Sequence, residues 1–277
     1  FVVSQMAPSF IDSGYTTKAE YEKALAGGMV GGADAVGEPM TLGYWKIRGL
    51  AAALRMMFYY KSVSFKNVAY GEDAKTEWFA KDKPELMKAN ALINLPYIKD
   101  GPTVVTQSNS CLVYLGQKLG IDKPECLILN HQVLDQTMDL RNALMKIVYG
   151  PAGKDFKPAL EKHMEDAKVH FAKIEGFCTA PFMCGAVPQS ADFHVFEMCD
   201  QHVQMCSELG VAFDFKKSCP KLAVLHMRLR NDPALAAYFK SDAYAYAVNN
   251  AMYANYCGKA YGNGPFGPTT REVLKIT

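Results

Sequence analysis

The residues best placed to do chemistry stand in one stretch, residues 94–117, which reads NLPYIKDGPTVVTQSNSCLVYLGQ. Gln107, Ser108 and Asn109 follow a β-branched run and precede Leu112, Leu115 and Leu119, whose three- and four-residue spacing predicts one face of a helix. Ser108 therefore sits at a helix start. Such a start carries unused N–H groups and the positive end of the peptide dipole, so a strand that delivers a hydroxyl there can hold a carboxylate. The same serine could equally serve as a helix cap and nothing more. Just upstream, Pro96 fixes its own φ, offers no N–H and drives Leu95 toward an extended backbone.

The elements that must position these residues are legible around them. Asp100-Gly101-Pro102 has turn chemistry, so Tyr97-Ile98 and residues 103–106 form a hairpin leading into the helix. Before it come a strand at 41–45, a helix after Arg48-Gly49 with Leu54, Met57 and Phe58 on one face, a strand at 63–70 and helical turns within 77–87. The order β-α-β-α-β-β-α mixes a parallel crossover with an antiparallel hairpin on one sheet. Past Ile121 strand alternation stops, and helical spacing runs through 126–148, 158–177, 191–209 and 219–231. The division predicted is an N-terminal extension at 1–40, an α/β domain at 41–121, an all-helical domain at 122–243 and a C-terminal extension at 244–277. In the first extension Thr17 and Glu20 make a capping box, a short helix ends at Leu25, and a Gly- and Ala-rich linker runs to Pro39. The last is rich in tyrosine and glycine.

With 277 residues, 49% of them hydrophobic, and a net charge of +2, the chain can bury a large core and has no charge excess suited to nucleic acid. No apolar run approaches the roughly 20 residues of a membrane span. Eight cysteines include no Cys-x-x-Cys, which argues against a zinc ribbon or a redox dithiol and points to a reducing compartment. Cys199, His202 and Cys206 could share a helix face, but without a fourth ligand they read as packing, so no metal is expected. A chain starting at Phe1 reads as a processed precursor, and a mature Phe terminus resembles the cleavage point of plastid proteins of red-algal origin, so the expected location is cytoplasm or plastid stroma.

Three segments carry a family resemblance: LGYWKIRGLA at 42–51, INLPYIKDG at 93–101 and TQSNSCLVYLGQK at 106–118. They resemble the signature segments of cytosolic glutathione transferases, closest to the mu class, and the likeness extends over residues 41–244. DQTMDLRNALMKIVYG at 135–150 resembles the mu-class first long helix, and SADFHVFEMCDQ at 190–201 the family's buried helix start, with Gln189 where a Ser or Thr is usual. The resemblance implies a thioredoxin-like domain followed by an all-helical one. It implies glutathione as co-substrate, with Tyr44 holding the thiol ionised and Tyr149 assisting the electrophile as a proton donor. The γ-glutamyl carboxylate would meet Gln107 and Ser108, and its ammonium Asp139 from the other subunit of a dimer. The cysteinyl backbone would pair with Leu95 before a cis Pro96. Trp45, Leu50, Trp78 and Asn94 would line the groove, and Lys81 or Lys83 would take the glycyl carboxylate. The arginine expected beside the loop between Tyr70 and Trp78 has no clear counterpart.

Two functions compete. One is conjugation of glutathione to small electrophiles by a homodimer. The other is a non-catalytic subunit of a larger assembly, with a plastid photosynthetic one in view, using its terminal extensions for contact.

Overall fold

The computed structural model describes residues 38–151, 155–258 and 267–276; the short helix and linker predicted before Pro39 lie outside them. At the centre of the first half is β1 (Thr41–Trp45), whose alternation sends Leu42 and Tyr44 to one face and Gly43 and Trp45 to the other. β2 (Phe65–Tyr70) lies parallel beside it, and the hairpin of β3 (Tyr97–Asp100) and β4 (Thr103–Thr106) continues the sheet antiparallel on the other side. Gly43 is required because the Tyr97 ring lies across it: a Cβ there would fall 2.0 Å from a ring carbon. The C-terminal extension contributes something no strand signal in the sequence had indicated. Its residues Thr270–Leu274 form β5, antiparallel to β2, which gives the order β4-β3-β1-β2-β5. Backbone groups of β2 that would otherwise face solvent are thereby paired within the chain.

One sheet face is covered by α1 (Ala52–Tyr60), entered through a tight turn at Gly49–Ala51. The other carries a wide π-helical segment, Lys75–Asp82, that runs into α2 (Lys83–Met87). α3 (Ser108–Lys118) follows β4 directly. Beyond it the chain is helical, as its spacing predicts: α4 (Leu127–Val148), α5 (Lys157–Asp166), α6 (Lys168–Phe177), α7 (Ser190–Leu209), α8 (Phe215–Ser218), α9 (Pro220–Arg230) and α10 (Asp242–Ala245). The predicted helix over 158–177 is two helices meeting at Ala167.

α7 is buried along most of its length, so its first N–H groups need protein partners. Asp192 accepts from the N–H of Gln189 (2.7 Å) and of Met183 (2.9 Å), Asp122 from that of Ser190 (2.6 Å), and Asn130 Oδ1 from that of Ala191 (2.9 Å). Asp122 and Asn130 do what a Ser or Thr at position 189 would do elsewhere. One cysteine expectation is corrected: Cys126 and Cys184 form a disulfide, 58 residues apart in sequence, because the chain preceding α7 returns to the start of α4. His202 does not turn to the cysteines on its helix; its Nε2 lies 3.0 Å from His163 Nε2.

The two halves are joined by a buried ionic cluster. Arg48, in the loop after β1, donates to Glu197 (2.8 and 3.0 Å) and to Asp200 (2.6 Å) of α7. His226 of α9 and the Tyr244 hydroxyl also bond Asp200. Burial opposes ionisation of Asp200, but His226 and Arg48 overcome it and hold its carboxyl well below the usual range.

Candidate active site

Tyr44 stands opposite Ala69 in the β1–β2 register, on the face toward α1. Its ring lies against the chain reversal at Gly49, where φ is +41° and a Cβ would sit 2.8 Å from the Tyr44 hydroxyl, so the phenol fits there only beside glycine. Tyr44 is 4% exposed. The C-terminal segment closes over the same place. Arg48 and Gly49 donate their N–H groups to the carbonyls of Ala247 (2.8 Å) and Val248 (3.2 Å), and Asn250 N–H donates to the Tyr149 hydroxyl (3.0 Å). Asn255 fastens this strap to the end of α4, donating through its side chain to the carbonyls of Ile147 (2.9 Å) and Gly150 (2.7 Å) and through its backbone to that of Val148 (2.8 Å).

Tyr149, at the C-terminus of α4, keeps part of its ring at the surface while its hydroxyl is covered. Burial raises its pKa, the Asn250 bond opposes the rise, and the charges of Tyr44 and Cys257 add to it. The two phenols expected to act in catalysis thus border one strap, Tyr149 through Asn250 and Tyr44 beside Gly49, which bonds Val248. Because its oxygen accepts from Asn250, Tyr149 keeps its own proton for donation.

The loop bearing Asn94, Leu95 and Pro96 is held by Thr106, buried at the end of β4. Its Oγ1 accepts from Asn94 N–H (3.0 Å) and lies within donating distance of the Asn94 (2.8 Å) and Pro96 (3.2 Å) carbonyls. The Leu95–Pro96 bond is cis. Leu95 N–H bonds the Asn94 side chain (2.9 Å), which must swing aside before Leu95 can pair with an added strand. Gln107 precedes α3 at φ 71°, exposed, with Ser108 buried behind it, and the first-turn N–H groups of α3 face outward from the end of the helix. Thr106 was missed from sequence; its signal was a hydroxyl one residue before a strained helix start.

Trp45 and Leu50 are half-buried, and Trp45 packs with Leu95 on the cluster beneath this loop. Trp78, expected to line the groove, lies behind it: it is 1% exposed, stacked on Tyr97 (5.9 Å) and against Tyr70 (5.2 Å), in a cluster on which Trp45 and Leu95 pack. The π-helical winding turns Phe79 outward instead. Phe79 is 53% exposed, 6.3 Å from Trp45, with the Lys83 ammonium 5.7 Å from its ring centre. Lys83 therefore stands against Phe79, whereas Lys81 pairs with Glu77 (3.4 Å). An arginine does reach the segment after Tyr70, from β5: Arg271 bonds Glu77 (2.7 Å) and Asp82 (2.8 Å). Asp139 is exposed on α4 and meets none of these groups among the described residues; one turn earlier, Asp135 accepts from Asn109 of α3 (2.9 Å).

Residues 40–117 match the family model described as glutathione S-transferase, N-terminal domain, and residues 138–242 the one described as glutathione S-transferase, C-terminal domain. Glutathione S-transferase Mu 1 of Oryctolagus cuniculus is 31% identical over 213 residues, covering 74% of this chain and 93% of that protein. The chain belongs to the glutathione S-transferase family. A class-mu 26 kDa glutathione S-transferase of Fasciola hepatica is 28% identical, over 79% of this chain and 97% of its own. Among solved structures, the glutathione S-transferase Blo t 8 superposes with a TM-score of 0.66 at 22% identity, over 78% of this chain and 99% of its own, a likeness of fold. The two-part transferase architecture accounts for the sheet half and the helical half; the family models end at residue 242, short of β5.

Proposed function

We propose that this transferase conjugates the glutathione thiolate to small electrophiles at the site between Tyr44, the loop of Asn94, Leu95 and Pro96, and the start of α3. The observation that carries the reading is that Tyr44 of β1 and Tyr149 at the end of α4 border one strap, which bonds Gly49 through Val248 and the Tyr149 hydroxyl through Asn250. A hydroxyl at Tyr44 donates to the bound sulfur and favours its ionised form, which is the nucleophile. The carboxylate of the γ-glutamyl group is taken by Gln107, Ser108 and the first N–H groups of α3. Leu95 pairs with the cysteinyl backbone, Trp45, Leu50 and Asn94 border the tripeptide, and Lys83, beside Phe79, takes the glycyl carboxylate. Tyr149 then donates toward the oxygen that becomes negative when an epoxide or enone is attacked. Asp139 has a role only if a second subunit carries it to the ammonium, in a homodimer. The domain limits follow the same reading: residues 41–121 bind glutathione and 122–243 shape the electrophile pocket.

Retention on immobilised glutathione, followed by turnover of a chlorodinitroarene, tests the proposal. The sulfur forms a bond to the ring carbon and chloride leaves, so chloride release and thioether formation must be equal. A chain that neither binds glutathione nor turns over the arene would refute it.

One observation favours a second reading, that of a non-catalytic glutathione-binding protein: Tyr44 is 4% exposed under a strap fastened by Asn255. A chain that binds glutathione yet remains silent toward electrophiles, even with Asn255→Ala loosening the strap, would decide for it.

A further inference from the structure

Two arginines near Tyr44 are buried in opposite ways. Arg48 is met by Glu197 and Asp200. Arg55 of α1 is 0% exposed and has no carboxylate bonded to it among the described residues. Its Nε donates to Asn67 Oδ1 (3.1 Å) and its Nη1 to the Ile47 carbonyl (2.8 Å), both neutral acceptors. Its Nη2, the Asn67 Nδ2 and the hydroxyl of Tyr238 meet no hydrogen-bond partner there. Ile47, whose carbonyl takes Nη1, and the Tyr44 hydroxyl flank the same point at Gly49; the charge of Arg55 also acts on Tyr44 of β1, Tyr59 of its own helix, Tyr238 and Glu197 of α7, and the Tyr246 ring lies 5.3 Å from the guanidinium. Of these Glu197 alone is a carboxylate, and Arg48 already engages both of its oxygens.

A guanidinium stays charged at any working pH, and a buried charge without a counter-ion is one of the least favourable things a fold can hold. An apolar side chain of similar volume would fill the same space without that penalty. What the charge does provide is a positive potential, undamped by water, at the position of the Tyr44 phenol. We propose that Arg55 is a positioning residue of this site: its uncompensated charge beside Tyr44 favours the ionised form of a thiol bound at that phenol, and its bond to Ile47 steadies the loop that sets Gly49 against the Tyr44 hydroxyl. This rests on the glutathione reading above.

The test is the pH profile of kcat/KM for arene conjugation in the full chain, with Asn67→Asp and Arg55→Met beside the parent. Asn67→Asp leaves Arg55 in place and gives it a carboxylate of the same shape, so the fold is kept and only the field is cancelled. The expected result is an apparent thiol pKa higher by about one unit, hence about tenfold lower kcat/KM on the acid side, with KM for glutathione little changed. Arg55→Met is expected to move the same way; if it fails to fold, Asn67→Asp decides. A folded, active Asn67→Asp with an unmoved profile overturns the role of Arg55 and leaves the transferase reading standing. A parent chain that neither binds nor conjugates overturns both.

Discussion

A single hydroxyl at Tyr44 is asked to shift a thiol toward its anion, and a charge-assisted hydrogen bond is worth roughly 1.5–3 kcal/mol, or about one to two pKa units. Tyr44→Phe is therefore expected to keep the fold and to lower conjugation about tenfold to a hundredfold below neutral pH, with the loss shrinking as pH rises and the thiol ionises unaided. Rates measured between pH 6 and 9 check this; a loss independent of pH would mean that the phenol does something else. At the same scale, the exchange of Trp78 for Phe79 follows from winding. The π-helical segment buries Trp78 against Tyr97 and leaves Phe79 exposed beside Trp45.

The strap is the element on which access to the site turns. Residues 247–257 are held to the loop after β1 and to the end of α4 chiefly by backbone hydrogen bonds and by Asn255, whose side chain donates to the carbonyls of Ile147 and Gly150 at and just past the helix end. Asn255→Ala removes two side-chain bonds of about 1 kcal/mol each, so amide exchange at Val248 and Asn250 should quicken roughly thirtyfold while amides of α7 are unaffected. Equal acceleration throughout the chain would instead mark Asn255 as part of global stability. β5 is the second device in the same extension. Its pairing with β2 brings Arg271 against Glu77 and Asp82 and so braces the segment that presents Phe79.

For the molecule as a whole, stability is tied to buried groups whose ionisation differs between folded and unfolded chains. Burial pushes His163 down to about 4 and His202 to about 3, against an ordinary value near 6.5. Below pH 6.5 the unfolded chain takes up these protons and the folded chain does not. The part of the stability owed to these two histidines is therefore full above about 6.5 and falls as pH drops toward about 4, while Asp192, raised to about 7 by burial, acts in the opposite sense. Melting temperature followed over that window should decline, and His163→Gln should flatten the decline; an unchanged slope would remove the pair from the account. The Cys126–Cys184 bridge closes a loop of 58 residues. On chain entropy it contributes up to about 4 kcal/mol, so reductant or Cys126→Ser should lower the melting temperature of the folded chain by several degrees.

What the sequence determined by itself was everything encoded by neighbours a few residues apart. Helical spacing located the helices of the second half, the Asp100-Gly101-Pro102 turn made the hairpin, and Gln107-Ser108 marked the helix start, because these signals are written in local backbone preference. Tertiary structure alone decided what depends on residues far apart in the chain. It brought β5 to the edge of β2, Cys184 to Cys126, Arg271 to the segment after Tyr70, the strap to Tyr149, and turned Trp78 inward. All but the burial of Trp78 are pairings across dozens to hundreds of residues, set by an open sheet edge or an unpaired group that exists only once the core has formed.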